Sequence, residues 1–262
     1  MTSRLYYWVF SLSVIMGIVL RTVMLLFTIE ESSGFIKQEY SAYAGVIIAF
    51  LIIGALIIFL SAVCLKTDKE VIPSVKGKLF SVACLLMAIA IIYEAFFSQL
   101  LFYSTRLQTI LYYAFSVAAA ASLCYIGVCK FWERTFPTAL GIIPVLFWII
   151  RIITVFTEYS RISTISDTVI GTASMCLALT TFLFYSKVEG KQTSKRYKYY
   201  CAVGFLTVYV CLINAVSRII TYLLSFEGAV HLSAEPSLTP LATAFFALTF
   251  AVSIFSNIKQ EA

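Results

Sequence analysis

Four ionisable side chains sit inside stretches that are otherwise apolar: Arg21, Glu94, Arg151 and Arg218. A charge at hydrocarbon depth costs roughly 2.5–3.5 kcal/mol on insertion scales, so such groups face a protein interior, pair with one another or line a site. The chemistry these four offer is recognition of an anion. Arginine presents a planar fork of donors that matches a carboxylate or phosphate. Three arginines against one glutamate leave positive charge even after one pair has formed. Near them, Trp148 and Asn214 add an indole N–H and a carboxamide, and Asp167 opens the hydrophobic stretch after Arg151. The candidate ligand-binding set is Arg21, Glu94, Arg151, Arg218, Asp167, Trp148 and Asn214. Tyr93, Ser98, Thr154, Ser217 and Thr221 are candidate wall residues at a similar depth.

A pattern of signs links these charges to their neighbours. Arg21 is followed by Glu39, Arg151 by Asp167 and Arg218 by Glu235, whereas Glu94 is followed by Arg106. A swap that keeps the signs opposite is what pairing within successive helical hairpins produces. Asp167 and Glu235 also suit the positive end of a helix dipole, and Ser41 and Ser237 read as N-caps. Arg-Ile-Ile-Thr occurs at both Arg151 and Arg218, which supports a repeated unit.

Other chemistry has little to stand on. His231 is the sole histidine and falls in a polar stretch, where a solvated side chain is the ordinary outcome. The chain carries no H-E-x-x-H, no phosphate-cradling glycine loop and no G-x-S-x-G elbow. Glu94 is the one acid within a span that acid–base catalysis would have to use, and it lacks an obvious catalytic partner. The seven cysteines, Cys64, Cys84, Cys124, Cys129, Cys176, Cys201 and Cys211, all lie in apolar stretches without C-x-x-C spacing, so they read as packing residues. No enzyme activity, metal or cofactor is expected.

The elements that position these residues follow from composition. The chain is 61% hydrophobic and 12% charged, against roughly 25% charged for a soluble domain. Apolar runs long enough to cross a bilayer as helices predict eight spans: 5–29, 41–65, 79–103, 108–129, 139–157, 165–187, 198–225 and 237–257. The fold class is all-α, a polytopic integral membrane protein forming a single transmembrane domain over 1–262. Its four hairpins are about 5–65, 79–129, 139–187 and 198–257. The first run is too long for a signal peptide, carries Arg21 and lacks a small-residue cleavage site, so it reads as a retained helix. Small residues at Ala118–Ala121, Gly45 and Gly54 are expected to let helices approach closely.

Loop charges give an orientation. Arg4, Lys66, Lys69, Lys76, Lys78, Lys130, Arg134, Lys187, Lys191, Lys195, Arg196, Lys198 and Lys259 fall on one side, and only Lys37, Arg106 and Arg161 on the other. Positive charge marks the cytoplasmic side, which places both termini there. The net charge of +6 is thus an orientation signal rather than a nucleic-acid footprint. Expected partners are the lipid bilayer, a small anionic ligand and another membrane or cytoplasmic protein. Only Asn257 to Ala262 follow the last span, so any signal would pass to a separate chain.

Phe147 to Lys187, with W-x-x-R-x-x-x-x-F and then YSRISTISD, resembles a pattern in uncharacterised multi-pass membrane proteins of Gram-positive anaerobic bacteria. The resemblance covers about a sixth of the chain. It implies a bacterial cytoplasmic membrane and no particular activity. The function expected from all this is binding of a small anionic solute or lipid head group from the outer side, in transport or sensing. The alternative is a structural or assembly partner whose buried charges only fix helix packing.

Overall fold

The computed structural model describes residues 3–28, 36–64, 75, 77–97, 106–159, 165–190, 197–224 and 238–260. Among these, eight helices are long and apolar enough to cross a membrane. They are α1 (Ser3–Val23), α2 (Ser41–Val63), α3 (Lys78–Phe97), α4 (Arg106–Phe131), α5 (Ile142–Tyr159), α6 (Ile165–Glu189), α7 (Tyr197–Leu224) and α8 (Leu238–Gln260). An all-helical architecture is what lipid demands, because only a helix satisfies its own backbone groups along a single spanning segment.

Helix ends differ in detail from the sequence expectation. Met24–Thr28 extends α1 as a π-helical turn, in which Thr28 Oγ1 donates to the Met24 carbonyl at 2.6 Å. A 3₁₀ turn at Gln38–Tyr40 precedes α2, so Ser41 is a helical residue and not the expected N-cap. Another 3₁₀ turn, Thr138–Gly141, leads into α5 and leaves Pro144 in that helix's first turn, where a missing N–H breaks no helical bond. The third span was expected to reach 103; its helix runs to Phe97, and 98–105 lie outside the described residues. Ser237 and Glu235 likewise lie outside them.

Consecutive helices touch in each expected pair, but the four pairs are not equivalent. Helices α3 to α8 form a closed bundle: α3 meets α4 and α8, α4 meets α5, α5 meets α6, and α6 meets both α7 and α8. The pair α1–α2 leans on the flank of α7. Helix α2 is apolar all round and buries only Ala44, Leu51, Ile58 and Ala62, which is the pattern of a helix facing lipid on most sides. Helix α7 is the shared wall, buried along most of its length.

Close approaches set the packing. Ser81 Oγ donates to the Gly127 carbonyl at 2.5 Å, joining α3 to α4 where a Cβ on Gly127 would lie 3.1 Å from the Ser81 carbonyl oxygen. A Cβ on Gly204 would lie 2.9 Å from Ala251 Cβ, so glycine is what brings α7 against α8. Ala119 and Ala120 are buried as expected, and Gly54 accommodates the Tyr209 ring. Among the described residues nothing lies within 4 Å of a Cβ at Gly45, so no close approach is made there. Tyr209 donates its hydroxyl to the Leu51 carbonyl at 3.1 Å, fixing α7 to α2. Inside the six-helix bundle, Phe182 stacks on Phe246 at 4.3 Å, with Phe80 and Tyr185 packed on the same ring.

Candidate functional site

Glu94 lies on the last described turn of α3 and is 3% exposed. On α3, Met87, Ala90 and Glu94 follow at three- and four-residue steps, so they share one face. That face meets the start of α8, where Thr243 donates to Met87 Sδ at 3.6 Å and Thr239 to the Ala90 carbonyl at 3.5 Å. The Thr239 hydroxyl also donates to Glu94 Oε2, while Arg151 Nη2 on α5 donates to Glu94 Oε1. Both carboxylate oxygens are thereby engaged. The carboxylate also sits at the N-terminal turn of α8, where the helix dipole favours a negative charge. Trp148, one turn before Arg151, places its ring 5.2 Å from the guanidinium carbon. A cation over an indole face is attracted by the ring quadrupole. Three helices thus converge through four side chains: α3, α5 and α8.

Of the two partners open to a side chain as short as that of Glu94, Arg106 of its own hairpin or a residue of another helix, the fold supplies the second. Arg106 is exposed at the start of α4, and the partner of Glu94 is instead Arg151, from the following hairpin. The physical reason is depth. A glutamate side chain is short, so its partner must lie at its own level on a packed neighbour. Arg106 begins the next helix and is exposed. Arg151 occupies the same level as Glu94 on a helix that shares the bundle. Asp167, expected opposite Arg151, belongs to the first turn of α6, and its side chain lies outside the described residues.

The remaining candidates fall into two seams. Asn214 is 4% exposed on α7, between Cys211 and the half-buried Arg218 at helical spacing. Cys211 is within electrostatic reach of Arg151, so this face of α7 looks into the same bundle. Arg21 belongs elsewhere. It is 1% exposed on α1, one turn beyond Gly17, which packs on Ile213 and Tyr209 of α7. Its Nη1 donates to Met24 Sδ at 3.3 Å. Glu39, its expected partner, is exposed in the turn before α2. Ser217 donates to the Ile18 carbonyl at 3.2 Å and Thr221 to the Ser217 carbonyl, so these two belong to the α1–α7 seam. Thr154 is buried, Tyr93 points outward and is no wall residue, and Ser98 lies outside the described residues.

Two buried polar atoms of the candidate set have no hydrogen-bond partner among the described residues: Trp148 Nε1, whose ring lies against Arg151, and Asn214 Oδ1 on α7. One is a donor and the other an acceptor, in side chains 2% and 4% exposed. Buried polar atoms are ordinarily satisfied by protein or water, so each of the two is open to a water or a polar ligand.

Sequence reasoning missed Thr239, which looks like an ordinary hydroxyl in an apolar run. It missed a second ion pair altogether. Lys130 Nζ at the end of α4 meets Glu189 Oε1 at the end of α6 at 2.6 Å and donates to the Val75 carbonyl at 2.8 Å. The same ammonium lies 5.3 Å from the centre of the Phe136 ring. Lys130 and Glu189 each flank a polar stretch, and nothing in their spacing pairs them. Among the described residues no group of three or more His, Cys, Asp or Glu is placed to hold a metal ion. The chain matches no family model, no curated protein and no solved structure.

Proposed function

We propose that this is a non-enzymatic multi-pass protein of the cell membrane, in the bacterial case the cytoplasmic membrane, that binds a small anionic solute or lipid head group from the outer side. It acts as a transport or sensory component, handing its signal or cargo to another protein. The observation that carries this reading is that Trp148 Nε1, whose ring lies against Arg151, and Asn214 Oδ1 on α7 are both buried without hydrogen-bond partners among the described residues. A ligand with an anionic end and a hydrogen-bonding end suits that surrounding. Both termini face the cytoplasm, because the basic residues of the loops gather on that side. The chain is read as four helical hairpins, each with one charged residue in its first helix: Arg21, Glu94, Arg151 and Arg218.

One observation favours a second reading, a structural or assembly role. Glu94 already has both oxygens engaged, by Arg151 and by Thr239, as a charge kept only for packing would.

A thermal-unfolding screen separates the two. The purified protein is heated with small carboxylates, phosphates, amino acids and anionic lipids, beside Trp148→Phe and Asn214→Leu. Ligand binding raises the midpoint by mass action, by about 2.7 kcal/mol of stability at a hundredfold excess over Kd. A shift in the wild type that shrinks in variants of normal stability supports the binding role. Free solutes that act in detergent point to a solute, and a response confined to lipids points to a head group. No shift with any anion or lipid leaves the structural role standing.

A further inference from the structure

The second ion pair closes the opposite end of the bundle. Lys130 ends α4, Glu189 ends α6, and the Lys130 ammonium also holds the Val75 carbonyl that leads into α3. One ammonium therefore ties three chain segments together. One turn before Glu189 on α6 lies Tyr185, fully buried, whose hydroxyl has no hydrogen-bond partner among the described residues. Side chains four apart on a helix are neighbours, and helical side chains lean toward the N-terminus, so Glu189 leans toward Tyr185. A buried hydroxyl without a partner is costly, and a carboxylate freed from its cation needs a donor. Each group is what the other would need if the clasp opened. On α3, whose Phe80 ring lies 5.3 Å from that of Tyr185, Cys84 is fully buried against Gly127 of α4 and within electrostatic reach of both Lys130 and Glu189.

We infer that Lys130–Glu189 is a releasable clasp: Glu189 exchanges Lys130 for the Tyr185 hydroxyl, the ends of α4 and α6 part, and water reaches Cys84. The ammonium keeps the Val75 carbonyl and water as partners, so no charge is stranded in the apolar interior. No bond is made or broken beyond hydrogen bonds and the ion pair. The inference stands whether or not the Arg151 end takes a ligand.

Native cysteines supply the readout. A thiol reacts as its thiolate, so a dry buried cysteine is inert until water reaches it. The intact seven-cysteine protein is treated with a water-soluble maleimide, and labelling is read cysteine by cysteine by peptide mass mapping. Cys201 and Cys211, both 1% exposed on α7, report on general loosening. Lys130→Met is expected to raise the labelling rate of Cys84 by roughly tenfold or more, with Cys201 and Cys211 unchanged. Adding Tyr185→Phe should bring the Cys84 rate back most of the way, because the open form then has no donor for Glu189. A simple structural tie would not respond to that hydroxyl. If Lys130→Met speeds all three cysteines together, Glu189→Gln is the second variant, and the same uniform rise there overturns the clasp. An unchanged Cys84 rate in a folded Lys130→Met protein overturns it too, as does indifference to Tyr185→Phe.

Discussion

The six-helix bundle is held by an ion pair at each end, and the two pairs are built differently. Glu94 and Arg151 are 4% and 6% exposed at their side chains, whereas Lys130 and Glu189 are each 14% exposed. The first pair is completed by a hydroxyl and an indole face, all from helices deep in the bundle. The second is completed by a main-chain carbonyl and a phenyl ring at the edge of the helical region. Depth accounts for the difference. A charge that cannot reach water must have its partners built in from neighbouring helices, and losing one strands the other. A charge near the interface can fall back on water, and so its bond can be given up.

That contrast sets the order of effects. Arg151→Gln leaves the Glu94 carboxylate buried without its cation and should cost about 3–5 kcal/mol, read as a large fall in the unfolding midpoint. Lys130→Met should cost less, roughly 1.5–3 kcal/mol, the range for a hydrogen bond to a charged group. A Lys130→Met protein that loses more than Arg151→Gln would break the comparison. Gly204→Ala, which touches neither pair, should cost about 1–3 kcal/mol by forcing α7 from α8, and it calibrates what packing alone contributes. The smallest effect belongs to Tyr185→Phe. Its hydroxyl has no hydrogen-bond partner among the described residues, so its removal should leave the midpoint within about 0.5 kcal/mol of the wild type or raise it.

Much of the architecture was legible in the residues. Eight apolar runs became eight helices, since length and hydropathy are the physical conditions for spanning and both are local properties of sequence. Glu94, Arg151 and Trp148 were singled out because a charge inside an apolar run is conspicuous, and they do meet. Which of them pair is not legible locally, because partnership between helices depends on rotation and neighbourhood. Glu94 and Arg106 are close in sequence, yet Arg151 shares the depth. The same blindness hid Thr239, whose hydroxyl acts on Glu94 only because α8 packs against α3. In the sequence Lys130 reads only as an orientation charge and Glu189 as an ordinary polar end of a span, because polar residues at helix ends are ordinarily solvated. Arg21 was grouped with the other arginines by depth, while the fold sets it on the far flank of α7.

The central claim is that Glu94 and Arg151 act as one unit joining two hairpins. A double-mutant cycle over Glu94→Gln and Arg151→Gln, read by reversible unfolding in a fixed detergent, measures that unit directly. The fold described above predicts that the double variant is more stable than the two single losses would sum to, by about 1–3 kcal/mol. Losses that simply add would mean that the two charges do not depend on each other, and would contradict it.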